Sequence, residues 1–311
     1  MIHVHPSFFY TVNYRDSEFD LCRLEIKSLF QLEPDKKYFF SDIDFDVSRS
    51  PFIKEKISVV YAAESFEELL QFLQKEPYNA EQFKIIFVRP EQSSFGYQAR
   101  LAAMGQVGAF ITGFANVKNP QVLLGLTEIE GKWLFGIYEK NDCLWHKHNE
   151  KPNTYSHSLE FRVARALVNM AVGSNLFATL IDPCCGVGTV LLEALSMGIP
   201  AYGVEINPLV AQKARENLLY FDYPDVIQLG DMHMIQAHFY AAIVDIPYGI
   251  LTPITKKEQQ AILKTARKIS DRLVLVTFEN MDTEIQQAGF SISDRGIVTK
   301  GSFVRYVHIC I

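Results

Sequence analysis

The sequence predicts an α/β protein in two parts: a C-terminal half built on a parallel sheet with helices on both faces, and a smaller mixed α/β region before it. Three observations carry this. From residue 179 onward, short apolar runs alternate with helical periodicities, and strands joined by helices require a parallel sheet covered on both sides. The first run, LID at 180–182, ends on an acid and turns through Gly186 and Gly188 into a helix. Between the halves, NDCLWHKHNEKPNTYSH at 141–157 is polar, bears a proline and lacks apolar periodicity, as a linker does. The domains expected are therefore 1–145 and 146–311.

In the N-terminal part, FFYTVNY reads as a strand, DSEFDLCRLEIKSLF as an amphipathic helix, and KYFFSD and ISVVYAA as strands. FEELLQFLQ follows as a helix, FKIIFVRP as a strand, and 97–110 as a helix. The two apolar runs of NPQVLLGLTEIEGKWLFGIYEK flank Glu-Gly and form a hairpin. In the C-terminal part a helix at 159–171 precedes strand TLID, helix TVLLEALSMG, strand AYGVEI and a helix begun by Pro208, a suitable first-turn residue. Strands VIQLG and YAAIVDI, a helix at 255–269, strand RLVLVTF and short helix DTEIQQAG come next. FSISDRGIVTKGSFVRYVHICI has no helix between its apolar runs, so it closes the sheet as an antiparallel hairpin.

Composition excludes several classes. Of 311 residues, 48% are hydrophobic and 21% charged, which supplies a packed core and rules out disorder. No apolar run reaches the length of a membrane span, and MIHVHPSFFY has no signal-peptide character; a cytoplasmic protein without a membrane partner is expected. Five cysteines with no CxxC pair give neither a disulfide framework nor a zinc site. HKH at 146–148 has no neighbouring carboxylate or cysteine, so no metal is assigned. The net charge of −6 confines any nucleic-acid contact to a patch.

In an open parallel sheet, ligands bind beyond the carboxyl ends of the strands where strand order reverses, and the turn after Asp182 lies at such an end. A phosphate loop needs lysine after its glycines, and the dinucleotide fingerprint needs a third glycine or alanine where GVGTVL has leucine. A cofactor bearing a carboxylate and an ammonium fits better. Backbone N–H groups of the turn Pro183, Cys184, Gly186, Gly188 and Thr189, the proline excepted, suit the carboxylate, and Asp182 suits the ammonium. S-adenosylmethionine has both groups. Glu205 closes the next strand, 23 residues after Asp182, at a spacing that places an acid on a ribose diol, with Ile206 beside it. Asp231 follows the third strand and is placed for the adenine amino group, with Met232 against the ring. Each acid alone could simply cap the helix after it; three in register with the glycine turn favour a ligand. His157 and Ser158 cap the helix at 159–171 and line the methionine end. Cys184 and Cys185, without a sequence-local histidine and inside the turn, are packing residues rather than nucleophiles.

DPCCGVGT, GVEIN, GDM and DIPYG resemble the successive motifs of class I S-adenosylmethionine-dependent methyltransferases, and DIPYG is similar to the [DN]-P-P-[YF] signature of enzymes that methylate exocyclic amino groups of bases. KPNTYSHSLEFRVARALVNMA resembles the lead-in helix of THUMP-containing RNA methyltransferases, especially those making N2-methylguanosine in tRNA. VKNPQVLLGL resembles the end of the THUMP domain. The resemblance implies a Rossmann-like seven-stranded class I methyltransferase domain, preceded by a ferredoxin-like plus THUMP-like RNA-binding region. It implies methyl transfer to N2 of a guanosine in RNA, with tRNA as partner. Asp245 and the carbonyl of Ile246 would accept from the amino group, Pro247 would shape the turn and Tyr248 would stack on the base. Ile246 stands where the family usually has proline, which adds a backbone N–H that needs a partner.

A target base must be reached outside the stack; Lys118, Lys147, Lys151, Arg162 and Arg165 are the candidate phosphate contacts. Two rivals remain: an amino-directed adenine methylase on DNA or RNA, and an RNA-binding protein that has kept the fold but lost turnover. Nothing in the residues indicates an accessory protein.

Overall fold

The computed structural model describes residues 7–91, 95–154, 159–246, 254–300 and 303–311. Chain contacts divide it into two units: Met1–Asn13, Pro34–Ser48 and Phe52–Asp142 form the first, and Tyr14–Glu33, Arg49–Pro51 and Cys143–Ile311 the second.

In chain order the N-terminal elements are β1 (Phe8–Val12), α1 (Phe19–Phe30), β2 (Tyr38–Ser41), β3 (Ile53–Ala63), α2 (Phe66–Lys75), β4 (Tyr78–Asn79), β5 (Phe83–Phe87), α3 (Tyr97–Gly108), β6 (Ile111–Thr112), β7 (Val122–Ile129) and β8 (Lys132–Lys140). The first unit holds all of these except α1. Its main sheet runs β2-β1-β3-β8-β7-β5, antiparallel apart from the β5–β7 pair, and β4 and β6 form a separate parallel pair. The β7–β8 hairpin turns at Glu130 and Gly131, both at positive φ, so the Glu-Gly dipeptide acts as the sequence predicts. Ser65 caps α2 by accepting from the Glu68 N–H. One apolar face packs Leu69, Leu73, Phe83, Leu124, Trp133 and Phe135 together.

The second unit adds α4 (Phe161–Val172), β9 (Leu180–Asp182), α5 (Thr189–Ser196), β10 (Ala201–Glu205), α6 (Pro208–Tyr220), β11 (Ile227–Leu229), β12 (Phe239–Asp245), α7 (Lys256–Ile269), β13 (Ser270–Thr277), α8 (Asp282–Gln287), β14 (Ile292–Lys300) and β15 (Phe303–Cys310). Its sheet has seven strands in the order β11-β10-β9-β12-β13-β15-β14. Pairing is parallel from β11 through β13, and β15 runs antiparallel to both β13 and β14. This is the Rossmann-like, class I methyltransferase topology. Thr255 and Glu258 form a capping box that starts α7, and Asn207 caps α6 ahead of Pro208. On one face Ile181, Val204, Ala242, Val244, Leu273 and Leu275 pack against Leu263 and Ala266 of α7.

The amphipathic helix α1 packs on α4 and β14, within the second unit. A buried polar cluster fixes it there. Glu25 accepts from Ser50 Oγ at 2.5 Å and from Asn169 Nδ2 at 2.7 Å, and Arg49 donates to Asn169 Oδ1 at 3.1 Å. The sequence places α1 by its position among N-terminal strands; Glu25 and its partner Asn169 in α4 are 144 residues apart, a separation at which periodicity carries no information. Among the described residues, no helix is long and apolar enough to cross a membrane.

Candidate functional site at the strand-order reversal

From β9 the chain steps outward to β10 and then β11, while β12 lies on the other side of β9. The order therefore reverses between β9 and β12, where an open sheet leaves a crevice at the carboxyl ends of its strands. Asp182, Glu205 and Asp245 end β9, β10 and β12, and Asp231 follows β11 by two residues. The structure thus brings all four acids to one end of the sheet.

Between Asp182 and α5 the chain makes a tight turn, with Gly186 at φ 54° and Gly188 at φ 80°, values that L side chains resist. A Cβ on Gly186 would meet no protein atom within 4 Å, so the space above this backbone is open. The turn is tied down on both sides. Asp182 Oδ1 accepts from the Cys184 N–H at 3.2 Å. Glu205 accepts from the Gly186 N–H at 3.0 Å through one oxygen and from the Asn207 N–H at 2.8 Å through the other. Pro183 and Thr189 are buried, and Gly188 precedes α5 without a side-chain cap, leaving the first-turn N–H groups to other partners.

Two residues that support this turn escape sequence reasoning. At Gly203 in β10, a Cβ would sit 2.4 Å from Leu191 Cδ1 and 3.1 Å from Cys185 Sγ; glycine there lets the turn and α5 close onto the sheet. Asn217 of α6, fully buried, donates to the carbonyls of Val187 at 2.8 Å and Asn153 at 2.9 Å and accepts from the Asn153 N–H at 2.8 Å. It clamps the glycine turn to the segment that leads into α4. The glycine in AYGVEI is a visible signal; a lone asparagine in a helix is not.

The electrostatics of the crevice are those of crowded acids. Burial, then the charges of Asp245 and Glu205, push the Asp182 carboxyl up to about 8 against the Cys184 hydrogen bond. Burial pushes Asp245 up to about 7, with Arg305 pulling the other way. Asp245 Oδ1 is buried, and among the described residues it has no hydrogen-bond partner. Buried polar atoms are nearly always paired, so this oxygen marks a place for a donor. Asp231 is exposed and its Oδ1 accepts from the His233 N–H at 2.8 Å, capping the turn Met232–Met234. For this acid the capping role is realised; α6 is capped by Asn207 and not by Glu205. Met232 is buried with its Sδ 3.6 Å from Cys184 Sγ, while Ile206 is 69% exposed. Burial and then the charges of Asp182, Glu205, Asp231 and Asp245 hold the Cys184 thiol far above its usual range, which leaves it protonated and inert.

The extra N–H of Ile246 finds its partner in the sheet: it donates to the Val276 carbonyl at 3.1 Å. Its side chain is 2% exposed and packs in the core beside α7. Isoleucine here exchanges the rigidity of proline for one more rung of the β12–β13 ladder. Pro247, Tyr248, His157 and Ser158 lie outside the described residues.

The basic candidates differ in burial and in what holds them. Arg165 is 5% exposed, and its guanidinium donates to Glu193 Oε2 at 2.7 Å and Ser196 Oγ at 2.9 Å; it is a packing residue of α4 and α5, and its assignment as a phosphate contact is corrected on that ground. Arg162 is engaged by Glu18 at 2.8 Å. Lys151 donates to Thr189 Oγ1 at 2.5 Å, and burial lowers its ammonium pKa. Lys118 and Lys147 are exposed. His148 of the HKH triplet is buried, with Nδ1 2.6 Å from Glu193 Oε1, so it braces α5.

Residues 149–291 match the family model described as RMKL-like, methyltransferase domain. The tRNA (guanine(10)-N2)-dimethyltransferase of Pyrococcus abyssi is 32% identical over 114 residues, 35% of this chain and 34% of that protein. The protein of the same name from Methanothermobacter thermautotrophicus is 31% identical over 105 residues, 33% of this chain and 31% of its own length. The chain thus spans about a third of the length of these curated relatives. The crystal structure of TrmN from Thermus thermophilus superposes with a TM-score of 0.48 at 17% identity, covering 97% of this chain and 98% of that one. S-adenosylmethionine is the cofactor of such a methyltransferase domain. The matched segment runs from the lead into α4, through the glycine turn and the four acid-bearing strand ends, to α8, so the candidate site lies wholly within the part of the chain that is similar to the RMKL-like methyltransferase domain.

Proposed function

We propose that this protein methylates RNA, transferring a methyl group from S-adenosylmethionine to the exocyclic N2 amino group of a guanosine, with tRNA as the substrate. The observation that carries the reading is Asp245 Oδ1, a buried acceptor with no partner among the described residues, at the end of β12 beside the strand-order reversal. The names of the two archaeal relatives support guanine N2 and tRNA.

The crevice fits the cofactor. Four acidic side chains crowd one turn, and burial raises two of them toward the neutral form; a ligand carrying positive charge would favour their ionised form, and S-adenosylmethionine carries an ammonium and a sulfonium. Asp182 would take the ammonium. The N–H groups of Cys184, Gly186, Gly188 and Thr189 would take the carboxylate, with Pro183 leading into the turn and His157 and Ser158 at the same end. Glu205 would take the ribose diol: each of its oxygens holds one backbone N–H, and a carboxylate has lone pairs for more. Asp231 would meet the adenine amino group, with Met232 and Ile206 against the ring. When bound, the cofactor supplies an electrophilic methyl group on sulfur.

The chain's own part is to orient the acceptor. An exocyclic amino nitrogen shares its lone pair with the ring, so it attacks only when held pyramidal and in line. Asp245 and the Ile246 carbonyl would accept its two N–H bonds and hold that geometry, which is catalysis by positioning. Pro247 would shape the turn and Tyr248 would stack on the base. Of the five candidate cations, Lys118 in the first unit and Lys147 in the second are exposed and would meet phosphates, and the first unit would supply an RNA-binding surface.

Transfer of labelled methyl from S-adenosylmethionine to unmodified tRNA, with nucleoside analysis and Asp245→Ala as control, tests this. Label in N2-methylguanosine that disappears in the variant is the expected result. Label in methyladenosine would replace guanine by adenine as the target, and cofactor binding without transfer to any RNA would overturn the enzymatic reading.

A further inference from the structure

We infer that Lys151 is the counter-ion of the cofactor's carboxylate: it stands at the start of α5 and makes the site selective for a cofactor that still carries that carboxylate. The inference rests on the cofactor reading proposed above and deepens it. It starts from a shortage of donors. Of the backbone N–H groups at this end of the turn, Cys184 donates to Asp182 Oδ1 at 3.2 Å, Gly186 to Glu205 Oε2 at 3.0 Å and Gly188 to the Cys185 carbonyl at 2.8 Å. The Thr189 N–H has no partner among the described residues, and no side chain caps α5. One uncommitted backbone donor is too few for a carboxylate, whose two oxygens offer about four acceptor sites.

Lys151 supplies what is missing. Its Nζ donates to Thr189 Oγ1 at 2.5 Å. An ammonium has three donors and no acceptor, so two remain, and the accepting hydroxyl keeps its own proton to give to an anion. Among the described residues no carboxylate pairs with Lys151 within 4.0 Å. Glu193, one helical turn on from Thr189, acts on it only from a distance, because its two oxygens are committed to His148 and Arg165. The half-buried cation therefore has a neutral oxygen for company, a setting that an arriving anion improves. Its main chain is fixed as well. The Lys151 N–H donates to the His148 carbonyl at 3.4 Å, and two residues on, Asn153 is gripped by Asn217, which also holds the Val187 carbonyl of the glycine turn. A cation on a fixed support loses little freedom when the ligand binds. Asp182 and Lys151 would then take the two opposite charges of the cofactor's amino-acid end.

The test is calorimetric titration of the full chain with S-adenosylmethionine and with its decarboxylated form, which keeps the amine, the sulfonium and the adenosine. It compares the native chain with Lys151→Met, Lys151→Arg and Thr189→Val. In Lys151→Met the affinity for S-adenosylmethionine should fall about ten- to a hundredfold, and that for the decarboxylated form by less than about twofold. Binding of the decarboxylated form also shows that the variant is folded. Lys151→Arg should keep most of the native preference, and Thr189→Val, which keeps the N–H and loses the hydroxyl, should give a smaller selective loss. A methionine variant in which both ligands weaken alike, or neither does, would overturn the inference and leave the cofactor reading standing. A native chain that binds neither ligand would overturn the cofactor reading and the inference with it. Selective loss in a chain that methylates no RNA would uphold the role of Lys151 and overturn the RNA methylation alone.

Discussion

Replacing Ile246 by proline would convert DIPYG to the sequence usual in amino-directed methyltransferases, and the structure predicts that this change damages the protein. The Ile246 N–H donates to the Val276 carbonyl at 3.1 Å, and Val276 is fully buried. Proline removes the donor and leaves that carbonyl without it, at a cost of about 1–3 kcal/mol. The isoleucine side chain is 2% exposed, and the smaller proline ring gives up roughly one buried methylene, about 1 kcal/mol. Together these destabilise the second unit by about 2–4 kcal/mol. The assay can isolate that unit, because the chain has two tryptophans, Trp133 in the first unit and Trp145, 3% exposed, in the second. In a Trp133→Phe background, urea unfolding followed by fluorescence reports on Trp145. Ile246→Val, which keeps the N–H, should cost only about 0.5–1.5 kcal/mol. Proline and valine variants of equal stability would refute the claim that the additional ladder bond is what isoleucine contributes.

Three further outcomes are expected. Asp182, Asp245 and Glu25 are held protonated by burial to about 8, 7 and 7, above the ordinary range near 4 of an unfolded chain. The folded state therefore binds more protons between these limits, and stability falls as pH rises from about 4 to about 8. Asp182→Asn should flatten this slope in thermal scans across that window, and a chain whose stability rises through it would contradict the burial of these acids. Arg165→Ala leaves Glu193 buried beside His148 without its guanidinium partner, so a loss of about 3–5 kcal/mol is expected in denaturant titrations; an unchanged midpoint with weakened tRNA binding would return Arg165 to the phosphate-contact class. A fragment spanning 143–311 lacks Glu25, Arg49 and Ser50 and leaves Asn169 without its buried partners; it should be poorly folded by near-ultraviolet circular dichroism, whereas co-expression with residues 14–51 should partly restore it.

Whatever depends on local pattern is legible in the sequence. The strand ends carrying Asp182, Glu205 and Asp245, the glycines at positive φ, Pro208 at the start of α6 and the antiparallel hairpin all follow from spacing and residue type within a few positions. The gathering of the acids at one end of the sheet is legible too, because they recur at strand ends, a signal that adds along the chain. The misreadings concern long-range partners. Arg165 resembles a surface cation because α4 shows it next to Arg162; its burial depends on Glu193, 28 residues further on. Lys151 falls among the RNA contacts for the same reason, yet its ammonium meets Thr189 at the start of α5. The need of the Ile246 N–H for a partner can be stated from sequence and is resolved only by register, since the partner lies in β13, on the far side of α7 in the chain. Asn217 gives no signal, because a helical asparagine is ordinary until its three hydrogen bonds are seen.

The path of the chain between its units sets a timetable for synthesis. Residues 14–33 leave the ribosome long before α4 and β14, the elements on which α1 packs, have been made. At about 5–20 residues per second, the wait for α4 is roughly ten to thirty seconds, and for β14 about twice as long. Throughout that interval the apolar side of α1, with Leu21, Leu24, Ile26 and Leu29, has no native surface to cover it. The nascent chain must therefore keep a sticky helix out of trouble while the strands on either side of it come together, which makes it a natural client for a holding chaperone and makes slow codons downstream of residue 33 a hazard rather than a help.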